Sequence, residues 1–204
     1  MRTDQAKFWE SEFGDQYILR NKSPQLLAAN LSLFAEIFKS TEIVAPSFLE
    51  FGANIGMNAQ AIKLLFPDSM YSGVEINRNA YSELEKVADH AYLNSFEEFN
   101  GEQTYQVTFT KGVLIHLDPS SLNVAYEKLY QYTDKFILII EYYNPSPVAI
   151  EYRGNHDKLF KRDFAGEILA KFPDLHLADY GFVYHQGRFP QDDLTWFLLQ
   201  KSRN

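Results

Sequence analysis

The chain has 204 residues, 46% apolar and 23% charged, a composition that excludes a disordered or fibrous protein and suits one domain. A formal charge of -8 argues against a reader of nucleic-acid phosphates, and the absence of cysteine rules out disulfides, thiolate metal sites and cysteine nucleophiles. The first residues lack the apolar core of a signal peptide and no apolar run is long enough to span a bilayer, so a soluble, cytoplasmic protein without nucleic-acid or membrane partners is expected.

From the N-terminus, Phe8, Trp9, Phe13, Tyr17 and Ile18 recur at roughly helical spacing over 5–21. Ser23-Pro24 then reads as a cap and first helical residue for a second helix over 24–38, whose Leu26, Leu27, Leu31, Leu33, Phe34, Ile37 and Phe38 suit a face laid on a sheet. After Pro46 comes a short apolar strand, 47–51, then a glycine-rich turn and a helix over 58–66 that Pro67 ends. Strand-like and helix-like segments alternate at 70–76, 80–87, 91–93, 105–110, 119–132 and 135–141, the sequence form of an α/β fold with a parallel sheet covered on both faces. A helix over 164–172 precedes two aromatic-rich strands, 176–185 and 194–201, with no helix between them, so they must pair as a hairpin. No internal repeat, low-complexity stretch or linker is present.

The turn FLEFGANIGMN puts an acid, Glu50, before Gly52, Ala53, Asn54 and Gly56. Glycines there allow close backbone approach and a sharp turn that aims helix N-terminal amides at a ligand. Glu75, ending the next strand, follows Gly52 at close to the spacing of about 20 at which Rossmann folds place an acid on ribose hydroxyls. These features resemble the class I S-adenosylmethionine-dependent methyltransferases, with Asn58 standing where many members have a third glycine. The resemblance implies a Rossmann-like three-layer sandwich: a mostly parallel seven-stranded sheet, a C-terminal antiparallel hairpin and an N-terminal helical lid. One domain over 1–204 follows, a cap over 1–45 and a core over 46–204.

The implied cofactor is S-adenosyl-L-methionine, leaving as S-adenosyl-L-homocysteine. By the same resemblance Asn94, Ser95 and Phe96 sit where adenine is contacted, Thr110 and Lys111 lie where the methionine half meets the acceptor, and Tyr17 and Arg20 belong to the lid, Arg20 being placed to meet the methionine carboxylate. An NAD-dependent oxidoreductase would share the acid spacing, but E-x-G-x-N-x-G replaces its G-x-G-x-x-G. A non-catalytic S-adenosylmethionine-binding module is the third reading.

The runs FTKGVLIHLDPSSL and NPSPVAIEYRG with KRDFAGE resemble the pseudaminic acid biosynthesis-associated methylases, over nearly the whole chain. That likeness implies an acceptor in surface-glycan biosynthesis. Physically, Arg153, His156, Lys158, Lys161 and Arg162 cluster in an otherwise acidic chain, after the end of the fifth strand, which fits a small anionic acceptor such as a sugar acid or a phosphorylated or nucleotide-activated sugar. Tyr142, Asn144, Arg153, Lys161 and Arg162 are the candidate substrate contacts. A base is needed only if the acceptor is a hydroxyl or protonated amine, and His116, His156 and Tyr143 are the candidates. Five scattered histidines and no cysteine predict no bound metal, and the oligomeric state is left open.

Overall fold

The computed structural model describes residues 3–11, 13–15, 18, 22–43, 46–152 and 154–202, with 4, 152 and 155–158 described through their backbone. Helix α1, Asp4–Glu10, starts where the Thr3 hydroxyl accepts the Ala6 N–H at 3.1 Å. Helix α2, Pro24–Phe38, begins as expected, with Ser23 accepting from the Leu26 N–H at 3.1 Å and Pro24 in the first turn, where no N–H is needed. Its buried residues, among them Leu33, Phe34, Ile37 and Phe38, form one stripe against the sheet.

Then follow β1 (Ser47–Phe51), α3 (Met57–Leu65), β2 (Met70–Glu75), α4 (Arg78–Leu84), β3 (His90–Leu93) and β4 (Tyr105–Lys111). The second half comprises α5 (Leu122–Gln131), β5 (Thr133–Glu141), β6 (Val148–Tyr152), β7 (Asn155–Lys161), α6 (Phe164–Lys171), β8 (Leu175–Val183) and β9 (Leu194–Lys201). Seven strands form one sheet in the order β3-β2-β1-β4-β5-β9-β8. The first five run parallel, while β9 pairs antiparallel with both β5 and β8.

Strand alternation divides the core into two layers. Phe48, Tyr71, Phe109, Leu138 and Trp196 face α2 and α3, whereas Leu49, Phe51, Ile137, Ile139 and Leu199 face α5 and α6. Full burial of such side chains is worth roughly 1.5–3 kcal/mol each. The parallel strands are buried on both faces, which is why they read as continuous apolar runs.

Several boundaries move for local reasons. The helix expected from 80 begins at Arg78, because Asn77 caps it by accepting from the Asn79 and Ala80 N–H groups at 2.9 and 3.0 Å. The helix expected from 119 opens with a 3-10 turn, Pro119–Ser121, under an Asp118 cap.

One element was not expected. Strands β6 and β7 form a separate antiparallel ribbon where the sequence reads as a charged loop. Buried Leu159 ties it to the core.

Candidate active site

The carboxyl ends of β1, β2 and β4 open into a cavity of about 1240 Å³, its mouth included. Ligands of open α/β sheets bind at this edge. Its floor is the turn after β1, where the Gly52 and Ala53 N–H groups both donate to the Val74 carbonyl at 2.8 and 3.0 Å. Gly52 and Gly56 hold φ of 77°, and Asn54 holds 48°, a left-handed sequence that brings main chain to the cavity wall. A Cβ on Gly52 would meet Val113 at 2.4 Å, so the close approach requires glycine.

Glu75 closes one end. Its carboxylate accepts the N–H of Asn54 and the N–H of Asn77, both at 2.7 Å. Burial raises its pKa, and the amides pull in the opposite direction. Asn94, Ser95 and Phe96 border the same end, the Phe96 ring stacked on Phe51 with centroids 4.3 Å apart. Asn77 also donates through Nδ2 to the Trp9 carbonyl at 3.2 Å and to Asp15 at 2.9 Å, so the N-terminal segment is tied to the end of β2. Trp9 and Gly14 face the cavity as its roof.

At the floor, Glu50 is fully buried beneath the turn rather than on the cavity surface. It accepts from the Tyr71 hydroxyl and, at 2.6 Å, from Asn58 Nδ2. Burial pushes its carboxyl up to about 7. Asn58 and Asn54 line the cavity, and the Oδ1 of each is buried without a partner among the described residues. Such acceptors are costly unless a ligand donor meets them.

Lys111, ending β4, lines the cavity, and burial lowers its pKa against the fields of Glu50, Asp192 and Glu141. Thr110 is buried behind it. His116 lies in the wall of the cavity, its ring 4.7 Å from that of Trp9. The 3-10 turn carrying it is anchored by Glu141, which accepts the N–H groups of Val113 and Leu114 at 3.0 and 3.1 Å. Burial raises Glu141 to about 7 as well.

The other expected residues lie elsewhere. Tyr143 is exposed and packs 5.7 Å from Phe197, Tyr142 carries Lys161 Nζ 4.8 Å from its ring centre, and Asn144 Nδ2 donates to the Ser146 carbonyl at 2.5 Å. Arg162 is paired with Glu167 at 2.6 Å, and Glu167 also accepts from the Tyr126 hydroxyl at 2.7 Å. None of these five borders the cavity. Tyr17, Arg20 and Arg153 lie outside the described residues, as does the side chain of His156. Conversely, Asn30 and Asn77 border the cavity without having been singled out, and so do Trp9, read only as part of the N-terminal helix, and Asn58, read as standing in place of a third glycine. Asn77 had a readable signal as a capping residue, and Asn30 as a lone amide on an apolar helix stripe.

No protein-family model and no curated protein matches the sequence. Solved structures do. Magnesium protoporphyrin IX methyltransferase from Synechocystis PCC 6803, with bound S-adenosylmethionine, superposes with a TM-score of 0.73 at 11% identity over 98% of this chain and 99% of that one. The fold is that of the S-adenosylmethionine-dependent methyltransferases. Plantazolicin methyltransferase in complex with S-adenosylhomocysteine gives 0.69 at 15% identity, covering 98% of this chain and 94% of its own. The 1,6-didemethyltoxoflavin N1-methyltransferase of Burkholderia thailandensis gives 0.70 at 11%, covering 97% and 87%. Among the described residues no helix is long and apolar enough to cross a membrane, and no group of three His, Asp or Glu side chains is placed for a metal.

Proposed function

We propose that the protein is an S-adenosylmethionine-dependent methyltransferase acting on a small anionic acceptor. The observation that carries this reading is the Glu75 carboxylate, held by two backbone amides at one end of a cavity whose floor is the Gly52–Gly56 turn. The residues fit the cofactor: Glu75 for ribose hydroxyls, Asn94 to Phe96 for adenine, and the unpartnered Oδ1 atoms of Asn54 and Asn58 for the amino-acid ammonium. Solved structures of the same fold carrying S-adenosylmethionine or its product support the choice of ligand.

When bound, the cofactor supplies a sulfonium methyl that is already activated, so the protein's task is alignment and exclusion of water. Trp9 and the rest of α1 roof the cavity, and Asn77 and Asp15 hold that roof down. His116, set beside Trp9 by the Glu141-anchored turn, is a group in the wall able to take a hydroxyl proton. An acceptor from glycan biosynthesis, such as a sugar acid, rests on the sequence resemblance to the pseudaminic acid-associated methylases. An anionic one is favoured independently by Lys111.

Titration calorimetry with S-adenosylmethionine, S-adenosylhomocysteine and NAD tests the proposal, combined with detection of S-adenosylhomocysteine release on a panel of sugar acids and sugar phosphates. Micromolar binding of the first two and none of NAD is expected. Preferential binding of NAD would refute it.

A further inference from the structure

Resting on the methyltransferase reading, we infer that Lys111 recognises the acceptor, and that the group it recognises is a carboxylate on a small ring compound. Of the basic residues of the β6–β7 ribbon and its flank whose side chains are described, Arg162 is spent on Glu167 and Lys161 lies over Tyr142, and neither borders the cavity.

Alternation along β4 puts Lys111 on the side of Val107 and Phe109, the side covered by α2. There Leu26 and Asn30 of α2 border the same cavity. Asn30 is buried and its Oδ1 accepts from Gln191 Nε2 at 2.9 Å, so the β8–β9 connection is clasped to α2 behind that wall. This wall belongs to α2 and β4. Glu75 stands two strands away on β2, a displacement of roughly 10 Å across the sheet. The nucleoside end and the Lys111 end are thus opposite ends of one cavity.

At its end, Lys111 has carboxylates near it but none bonded to it. Glu50 is committed to Tyr71 and Asn58, and Glu141 to the amides of Val113 and Leu114. Asp192 contributes field from the exposed connection. Among the described residues no carboxylate lies within 4.0 Å of Lys111 Nζ. A partly desolvated ammonium with no bonded partner among the described residues gains most from a ligand anion. One point charge, with the Asn30 amide group on the same wall, matches the two oxygens of a monoanionic carboxylate better than a phosphate dianion. Trp9 and His116 also line the cavity, their rings 4.7 Å apart and tilted 55° to each other, so either aromatic face can meet the acceptor's ring.

The test uses the full chain and six ligands of known structure. S-adenosylhomocysteine and 5′-methylthioadenosine, which lacks the amino-acid end, are titrated into wild type, Lys111→Met and Lys111→Gln. D-glucuronate and D-glucose, then p-hydroxybenzoate and p-hydroxybenzyl alcohol, are titrated into the S-adenosylhomocysteine complexes. Both variants are expected to bind both nucleosides within about threefold of wild type, which also reports that they fold. In wild type at least one carboxylate should bind about tenfold tighter than its neutral partner, and the preference should vanish in both variants. Loss of S-adenosylhomocysteine affinity with methylthioadenosine unaffected would assign Lys111 to the cofactor and overturn the inference, as would the absence of a carboxylate preference in both pairs. Failure of wild type to bind either nucleoside would instead strike the methyltransferase reading itself.

Discussion

The backbone N–H of Asn54 donates to Glu75 Oε2 at 2.7 Å, joining the turn after β1 to the end of β2. Because Asn77 takes the other oxygen at the same distance, the carboxylate is oriented before any ligand arrives. Glu75→Gln replaces one of these acceptors with an NH2 group facing an amide N–H. A lost charged hydrogen bond is worth about 1.5–3 kcal/mol, so S-adenosylhomocysteine should bind roughly ten- to hundredfold more weakly. Calorimetry checks this, and an unchanged dissociation constant would remove Glu75 from the ligand contacts.

Gly52→Ala should be more damaging than its size suggests. The new methyl group would sit 2.4 Å from Val113 Cγ2 while the residue is held at φ 77°. Overpacking costs typically 1–3 kcal/mol, and the left-handed backbone adds to it. Thermal unfolding should show a fall in Tm of several degrees, and nucleoside binding should be lost. Gly112→Ala, at φ 66° but with open space around its Cβ, should lose only the conformational part.

The roof should respond separately from the core. Asp15 accepts from Asn77 Nδ2 and Asn79 Nδ2, both at 2.9 Å, and these bonds hold its carboxyl below the usual range. Asp15→Ala cuts this tie and leaves the Asn77 cap intact. Amide exchange in α1 is therefore expected to accelerate with little change in Tm. Trp9 fluorescence should report ligand release about tenfold faster, since Trp196, the second tryptophan, is buried in the core away from the cavity. Protection of α1 equal to wild type would show that the roof is held by other contacts.

The parts of this molecule legible in its sequence are those set by neighbours in the chain. Helix α2 was bounded to the residue because Ser23-Pro24 is a local cap signal, and β1 and β9 were bounded because apolar runs stop at turns. The Gly52–Gly56 turn and Glu75 were readable because a fixed spacing carries their geometry. Around Lys111, itself named from the sequence, the rest of that end of the cavity was not. Its clasp, Asn30 with Gln191, joins residues 161 apart in sequence, and although Asn30 stands out as an amide on an apolar stripe, nothing local tells it which partner it meets. The ribbon β6–β7 was likewise hidden, because its charged residues mask the short alternation of Val148 and Ile150, and burial of Leu159 depends on where the core lies.

Stability should fall as pH rises from about 4.5 to about 7. Glu50 and Glu141 are each raised by burial from 4.5 to about 7. A carboxyl whose folded pKa exceeds its unfolded value binds its proton more tightly when folded. Its contribution is therefore most favourable below 4.5, is lost between 4.5 and about 7, and is constant above. That gap sets an upper bound of roughly 3 kcal/mol for each group. Glu75 is raised in the same direction, whereas Asp15, Asp89 and Asp193 are lowered and act below their ordinary value of 3.8, outside this window. Lys111, lowered from 10.5 by burial, opposes the trend only as pH climbs through its folded pKa. Glu50→Gln keeps an oxygen for Asn58 Nδ2 and turns an amide toward Tyr71, so the site stays filled while its titration disappears. Urea unfolding at several pH values should show a shallower slope for this variant than for wild type. Equal slopes would mean that Glu50 stays ionised when folded, with Tyr71, Asn58 and Lys111 together outweighing its burial.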